Sequence, residues 1–156
     1  MKHTISVLVE NKFGVLARVA GLFSARGYNI ASLAVSETLD PAVSYMTIVV
    51  EAQDVKILEQ IEKQLNKLID VISVNDFTKK EHLDRELILA KVTCLPKDKE
   101  KLENALDKYV AKIVSHKANI AIIEAVGDQH QIKQLLEALN KFGVKELVRT
   151  GRVAMA

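Results

Sequence analysis

The sequence predicts an α+β protein built from two ferredoxin-like βαββαβ domains in tandem. Three observations point to it. Runs such as 4–10 (TISVLVE) and 44–51 (SYMTIVVE) alternate apolar and polar residues, the period of a half-buried strand. Segments 15–23 and 57–68 instead carry apolar residues at helical spacing. The order strand, helix, strand, strand, helix, strand then recurs after a polar stretch at 78–85.

In 4–10, Ile5, Val7 and Val9 share one face. A turn at 11–16 (NKFGVL) follows, and Val15, Leu16, Val19, Ala20, Leu22 and Phe23 form a helical stripe with Arg18 and Ser24 off it. Gly27 sits where a glycine closes a helix. Residues 29–37 read as a second strand, Asp40-Pro41 as a turn, and 44–51 as a third strand. Asp54 is placed to cap a helix with Ile57, Leu58, Ile61, Leu65 and Leu68 inward, and 69–77 returns as a strand. The first domain therefore spans 1–77, with 78–85 (TKKEHLDR) as linker and 86–156 as the second domain. There, 86–95 reads as a strand stopped by Pro96, and 98–113 as a helix through Leu102, Leu106, Tyr109, Val110 and Ile113. Short strands at 113–116 and 120–126 flank a turn at 117–119; a helix at 129–142 ends at Gly143, and 144–155 is a last strand.

Composition narrows function. Apolar residues make up 49% and charged residues 27%, enough for two cores, while aromatics are only 4%. The net charge of +2 comes from interspersed charges without a Lys/Arg cluster, which argues against nucleic acid or an anionic membrane as partner. Tyr45 is the only aromatic in the two strands that would carry base stacking in an RNA-binding version of this fold. Cys94 is the only cysteine, so no disulfide forms within the chain; it ends an apolar strand and reads as a small core residue. With no run of about 18 apolar residues and no signal-peptide pattern at 1–4, a cytoplasmic protein is expected. The four histidines are scattered, and no paired acid and base or serine elbow is evident.

The turn remains. Gly14 permits a left-handed backbone or a close approach. The first N–H groups of the following helix, near Val15 and Leu16, lack intrahelical partners and suit a carboxylate. Asn11 adds a side-chain amide, and Asn29 could lie nearby if the helix runs back along the first strand. Such donors and acceptors meet the needs of a free amino acid. From these residues alone, a plain capped helix with a turn glycine is the simpler account.

A resemblance changes the weighting. The residues N11-K-F-G-V-L-A-R-V19, the run 22–30 (LFSARGYNI), Asp40-Pro41, residues 58–65 (LEQIEKQL), Arg85-Glu86-Leu87, Phe142-Gly143 and residues 148–151 (VRTG) closely resemble the regulatory (small) subunit family of acetolactate synthase, also called acetohydroxyacid synthase. The first half is similar to an ACT domain, and the resemblance spans essentially the whole chain. It implies a non-catalytic homodimeric subunit that activates a catalytic subunit and confers feedback inhibition by valine or a related branched-chain amino acid. The effector would lie between two ACT domains, against Asn11, Gly14, Val15 and Leu16 of one protomer and Asn29 and Ile30 of the other. No cofactor or metal is implied for this chain; thiamine diphosphate, magnesium and FAD would sit on the catalytic subunit. The second half departs from the family pattern at Tyr109-Val110 and Ser115, and the chain stops at Ala156 where the family commonly continues into a basic tail. The alternative is a stand-alone amino-acid-sensing ACT protein without an enzyme partner.

Overall fold

The computed structural model describes residues 2–52, 55–78 and 80–156. The chain divides into two compact units, Met1–Leu83 with Arg152–Ala156, and Asp84–Gly151.

The first unit runs β1 (Lys2–Glu10), α1 (Val15–Ser24), β2 (Asn29–Glu37), β3 (Val43–Glu51), α2 (Val55–Leu65) and β4 (Val71–Asp76). All strand pairs are antiparallel, in the order β2-β3-β1-β4. Period-two alternation sends Ile5, Val7 and Val9 of β1 and Met46, Ile48 and Val50 of β3 to one face. They form one buried cluster with Val19 and Phe23 of α1 and Leu58, Ile61 and Leu65 of α2. Gly27 has φ +69°, the left-handed geometry expected just beyond a helix end. The cap expected at Asp54 lies outside the described residues.

The second unit repeats the arrangement with β5 (Leu83–Thr93), α3 (Lys99–Leu106), β6 (Val110–Lys117), β7 (Ile120–Gly127), α4 (Gln129–Leu139) and β8 (Val144–Arg149). Its strand order, β6-β7-β5-β8, matches that of the first sheet position for position. Its core joins Ile88, Ala90, Val92, Ala121 and Ile123 to Leu102, Ile132, Leu135 and Leu139. A capping box starts α4: Asp128 accepts from the Gln131 amide at 2.8 Å, and the Gln131 side chain accepts from the Asp128 amide at 3.0 Å. Arg149 forks onto the buried carboxylate of Glu86, with both contacts at 2.7 Å, and so ties the end of β8 to β5.

Several expected boundaries shift. The helix expected over 98–113 is only Lys99–Leu106, and Val110 and Ile113 lie in β6 instead. Val110, Ile113 and Val114 are β-branched, and Ala111 and Ile113 alternate inward with strand period, so β pairing outcompetes the helical spacing. Leu68 packs on the core but follows the end of α2, and Ile69 is exposed ahead of β4. The single strand expected over 144–155 is two: β8 stops at Arg149, and β9 (Val153–Met155) belongs to the first unit. Gly151 makes the break, with φ +81°.

Phe23 is completely buried. Phe23→Ala is expected to destabilise the first unit by about 3–5 kcal/mol, read as an earlier transition in urea unfolding. Leu135→Ala is expected to act on the second unit by about 2–5 kcal/mol.

Candidate functional site

The turn between β1 and α1 is pinned from three sides. The Asn11 amide donates to the Ala42 carbonyl at 2.7 Å, and its side-chain NH2 donates to the Pro41 carbonyl at 2.8 Å. Both bonds hold the turn to the β2–β3 loop. From the other side the Glu10 amide donates to the Asp70 carbonyl at 2.8 Å. Gly14 stands at the N-cap with φ +81° and ψ −5°, and no side chain caps the helix. A capping residue ordinarily has extended backbone and offers a side-chain oxygen; here a left-handed glycine offers neither. The Val15 amide donates to Lys12 O at 3.3 Å, a long turn bond. Among the described residues, the amides of Gly14, Leu16 and Ala17 meet no backbone carbonyl. These donors sit at the positive end of the helix dipole.

Arg18, which lies off the apolar stripe of α1, adds a cation. Its Nε donates to Asp70 Oδ2 at 2.9 Å, and Nη2 lies 2.7 Å from the same oxygen. Its Nη1 lies against Gly14, 3.1 Å from where a Cβ on that glycine would stand. Asp70 is buried and thus holds the turn by its carbonyl while aiming Arg18 across it with its carboxylate. Two signals for Arg18 were available: it is four residues from Gly14, and helical side chains lean toward the N-terminus. Nothing in the sequence flags Asp70, 52 positions further on.

The other expected contact residues separate into groups. Leu16 is half-exposed beside the free amides, whereas the Val15 side chain is buried in the core. Asn29 and Ile30 open β2 at the far end of the same sheet. Asn29 pairs with Glu51, which pairs with Lys2, while the turn follows Glu10 at the other end of β1. The eight residue steps of β1 correspond to roughly 26 Å at about 3.3 Å each. Within one chain Asn29 therefore does not reach the turn, and the juxtaposition expected from the residues alone is corrected. The separation follows from α1 running back along the full sheet before β2 begins.

No group of three His, Cys, Asp or Glu with metal-binding proximity occurs among the described residues. The histidines are used locally: His116 contacts the Cys94 carbonyl at 2.9 Å, and His82 stacks on Phe77 at 5.0 Å. Burial pushes the Cys94 thiol up from its ordinary pKa. An open cleft of about 540 Å³ in the second unit is lined by Leu95, Ala105, Ala138 and Phe142, with Lys101 and Lys141 at its rim. Lys101 there pairs with Asp98 at 3.1 Å. No helix among the described residues is long and apolar enough to cross a membrane.

Arg18→Met keeps the aliphatic stem and removes the cation. It leaves a buried carboxylate with its charge uncompensated, and a loss of about 1–2 kcal/mol is expected in chemical unfolding of the first unit.

Comparison with known proteins places these features. A family model described as AHAS small subunit-like ACT domain matches residues 5–73. A second, described as small subunit of acetolactate synthase, matches residues 85–156. The chain is 48% identical over 155 residues to a probable acetolactate synthase small subunit of Archaeoglobus fulgidus, covering 99% of this chain and 96% of that one. It is 38% identical to the acetolactate synthase small subunit of Bacillus subtilis, covering 100% and 91%. Among solved structures it matches the acetolactate synthase small subunit of Thermotoga maritima with a TM-score of 0.87 and 37% identity, over 99% of this chain and 96% of that one. With both halves matched and its tandem fold shared, the chain belongs to the acetolactate synthase small-subunit family, and its first half is an ACT domain.

Proposed function

We propose that this chain is a cytoplasmic regulatory subunit that activates a larger acetolactate synthase subunit and makes it sensitive to valine or a related branched-chain amino acid. Catalysis resides in the partner, which carries thiamine diphosphate, magnesium and FAD. The observation that carries the effector reading is the set of unpartnered amides at Gly14, Leu16 and Ala17, with Arg18 Nη1 beside them. That set accepts a carboxylate. The exposed part of Leu16 offers apolar contact for an aliphatic side chain.

The site is completed by a second copy of the chain. β2 is an edge strand. Pairing β2 with its two-fold mate, antiparallel, sets the start of one against the end of the other. Asn29 and Ile30 of one protomer then come to the end of the sheet where the other protomer's Asn11–Gly14 turn lies. Asn29 supplies an acceptor for the ammonium group, and the homodimer is the binding unit. The amino acid changes activity to the extent that two states of the assembly bind it differently.

Calorimetric titration of the purified chain with valine, leucine and isoleucine is expected to show saturable binding of at least one. Heat of dilution alone for all three refutes the effector reading. Gly14→Asp puts a carboxylate beside Arg18 and against the ligand's own charge. Inhibition of the reconstituted enzyme by valine is then expected to weaken by about tenfold or more, equivalent to ~1.4 kcal/mol, with activation retained. Unaltered inhibition moves the site elsewhere.

A further inference from the structure

The first sheet has two unlike faces. One is the apolar core under the helices. The other carries hydroxyls, Thr4 and Ser6 on β1, Ser32 on β2, and Tyr45 and Thr47 on β3, set beside Leu8 and Val49. The segment Arg152–Ala156 lies across this second face. The Arg152 amide donates to Ser32 Oγ at 3.0 Å, and its guanidinium to Thr4 Oγ1 at 3.2 Å. The Ala154 amide donates to Thr47 Oγ1 at 3.3 Å, and Tyr45 donates its hydroxyl to the Ala154 carbonyl at 2.8 Å. One short segment thus bonds to three adjacent strands. Ala154 points inward and is 4% exposed, while Val153 and Met155 point out. Only a small side chain at that position lets the backbone come so near the hydroxyls.

We propose that residues Arg152–Ala156 are a reversible strap that clamps β2 to the rest of the first sheet. Two features make it reversible. The hydroxyls that the strap binds hydrate readily when bare, so its hydrogen bonds exchange for bonds to water. Ser6, paired with Thr47 in the ladder, has a buried hydroxyl without a partner, so the covered face leaves a hydrogen bond unmade. Two further features make the strap informative. Its β2 contact, Ser32, lies beside the irregularity in pairing between Ile30 and Ser32, next to the residues assigned above to the effector. Its other end is fastened to the second unit. There the Thr150 amide donates to the Leu87 carbonyl at 3.0 Å. A ligand held by Asn29 and Ile30 fixes β2 in the register that presents Ser32 to Arg152, and so tightens the strap. This last coupling rests on the effector site proposed above; the clamp itself does not.

Amide hydrogen exchange on the full chain separates the two. Two variants undock the strap from opposite sides: Thr47→Val with Tyr45→Phe removes the hydroxyls, and Ala154→Arg removes the small contact. Without ligand, both are expected to speed exchange at Ala154 and along β2 by about tenfold or more, with Val7 in β1 unchanged. Unchanged rates at Ala154 and β2 in both variants overturn the clamp. Saturating valine is expected to slow Ala154 exchange in the unsubstituted chain, and valine is expected to bind the undocked variants more weakly by the same factor. Tight valine binding with no change at Ala154 overturns the coupling but not the effector site. If calorimetry shows that no branched-chain amino acid binds, the effector site and the coupling fall together, and the ligand-free variants still decide the clamp.

Discussion

Alternation in β1 and β3 governs the first unit. Each strand has one row of apolar residues that builds the core and a second row of mixed character, with Thr4 and Ser6 beside Leu8 on β1 and Tyr45 and Thr47 beside Val49 on β3, and the two rows point to opposite faces by geometry alone. The apolar row gathers both helices, and that burial is the main source of the unit's stability. Because α1 must return along the sheet to stay on that row, its N-terminus and the start of β2 lie at opposite ends. The spacing that makes the core thus also separates Gly14 from Asn29. A one-residue slip in β1 would put Thr4 and Ser6 into the core and dissolve both arrangements at once.

Much of this was legible in the sequence, for identifiable reasons. Ile5, Val7 and Val9 alternate without interruption, and Gly27 and Gly143 fall where helices close, with φ of +69° and +80°. The turn at Gly14 stood out because a glycine separates a clean strand pattern from a clean helical one. What stayed hidden depends on distant partners. Asp70 falls within the strand expected over 69–77, and nothing local marks it until the fold brings its carboxylate to Arg18. Tyr109 and Val110 continue a helical spacing that tertiary pairing overrides, since Val110 pairs with Val126 in β7. Gly151 looked like one residue within a strand because Val153 and Met155 keep the alternation going after the break. Local pattern has no means of saying that the chain breaks between Arg149 and Val153.

The two units share a topology and differ in their outer faces. In the first, the face away from the helices holds Ser32, Tyr45 and Thr47. In the second, the corresponding face holds Leu87, Leu89, Val126 and Val148, interrupted by ion pairs of Lys91 with Glu146 and Lys112 with Glu124. Inward-facing positions keep their apolar character in both because each core demands it. Outward-facing positions are free of that demand, and there the two units differ. The turn corresponding to Gly14 also differs: Pro96 and a short 3-10 turn occupy the start of α3.

The first unit is discontinuous in the chain, since its last element follows all of Asp84–Gly151. This has a consequence for synthesis. The sheet and both helices of the first unit are available to fold as soon as their own residues leave the ribosome, and domains generally fold in that N-to-C order. The residues that cross the hydroxyl face come last. During translation of the second unit the nascent first unit therefore stands with that face bare. Until those last residues dock, its hydroxyls are satisfied by water.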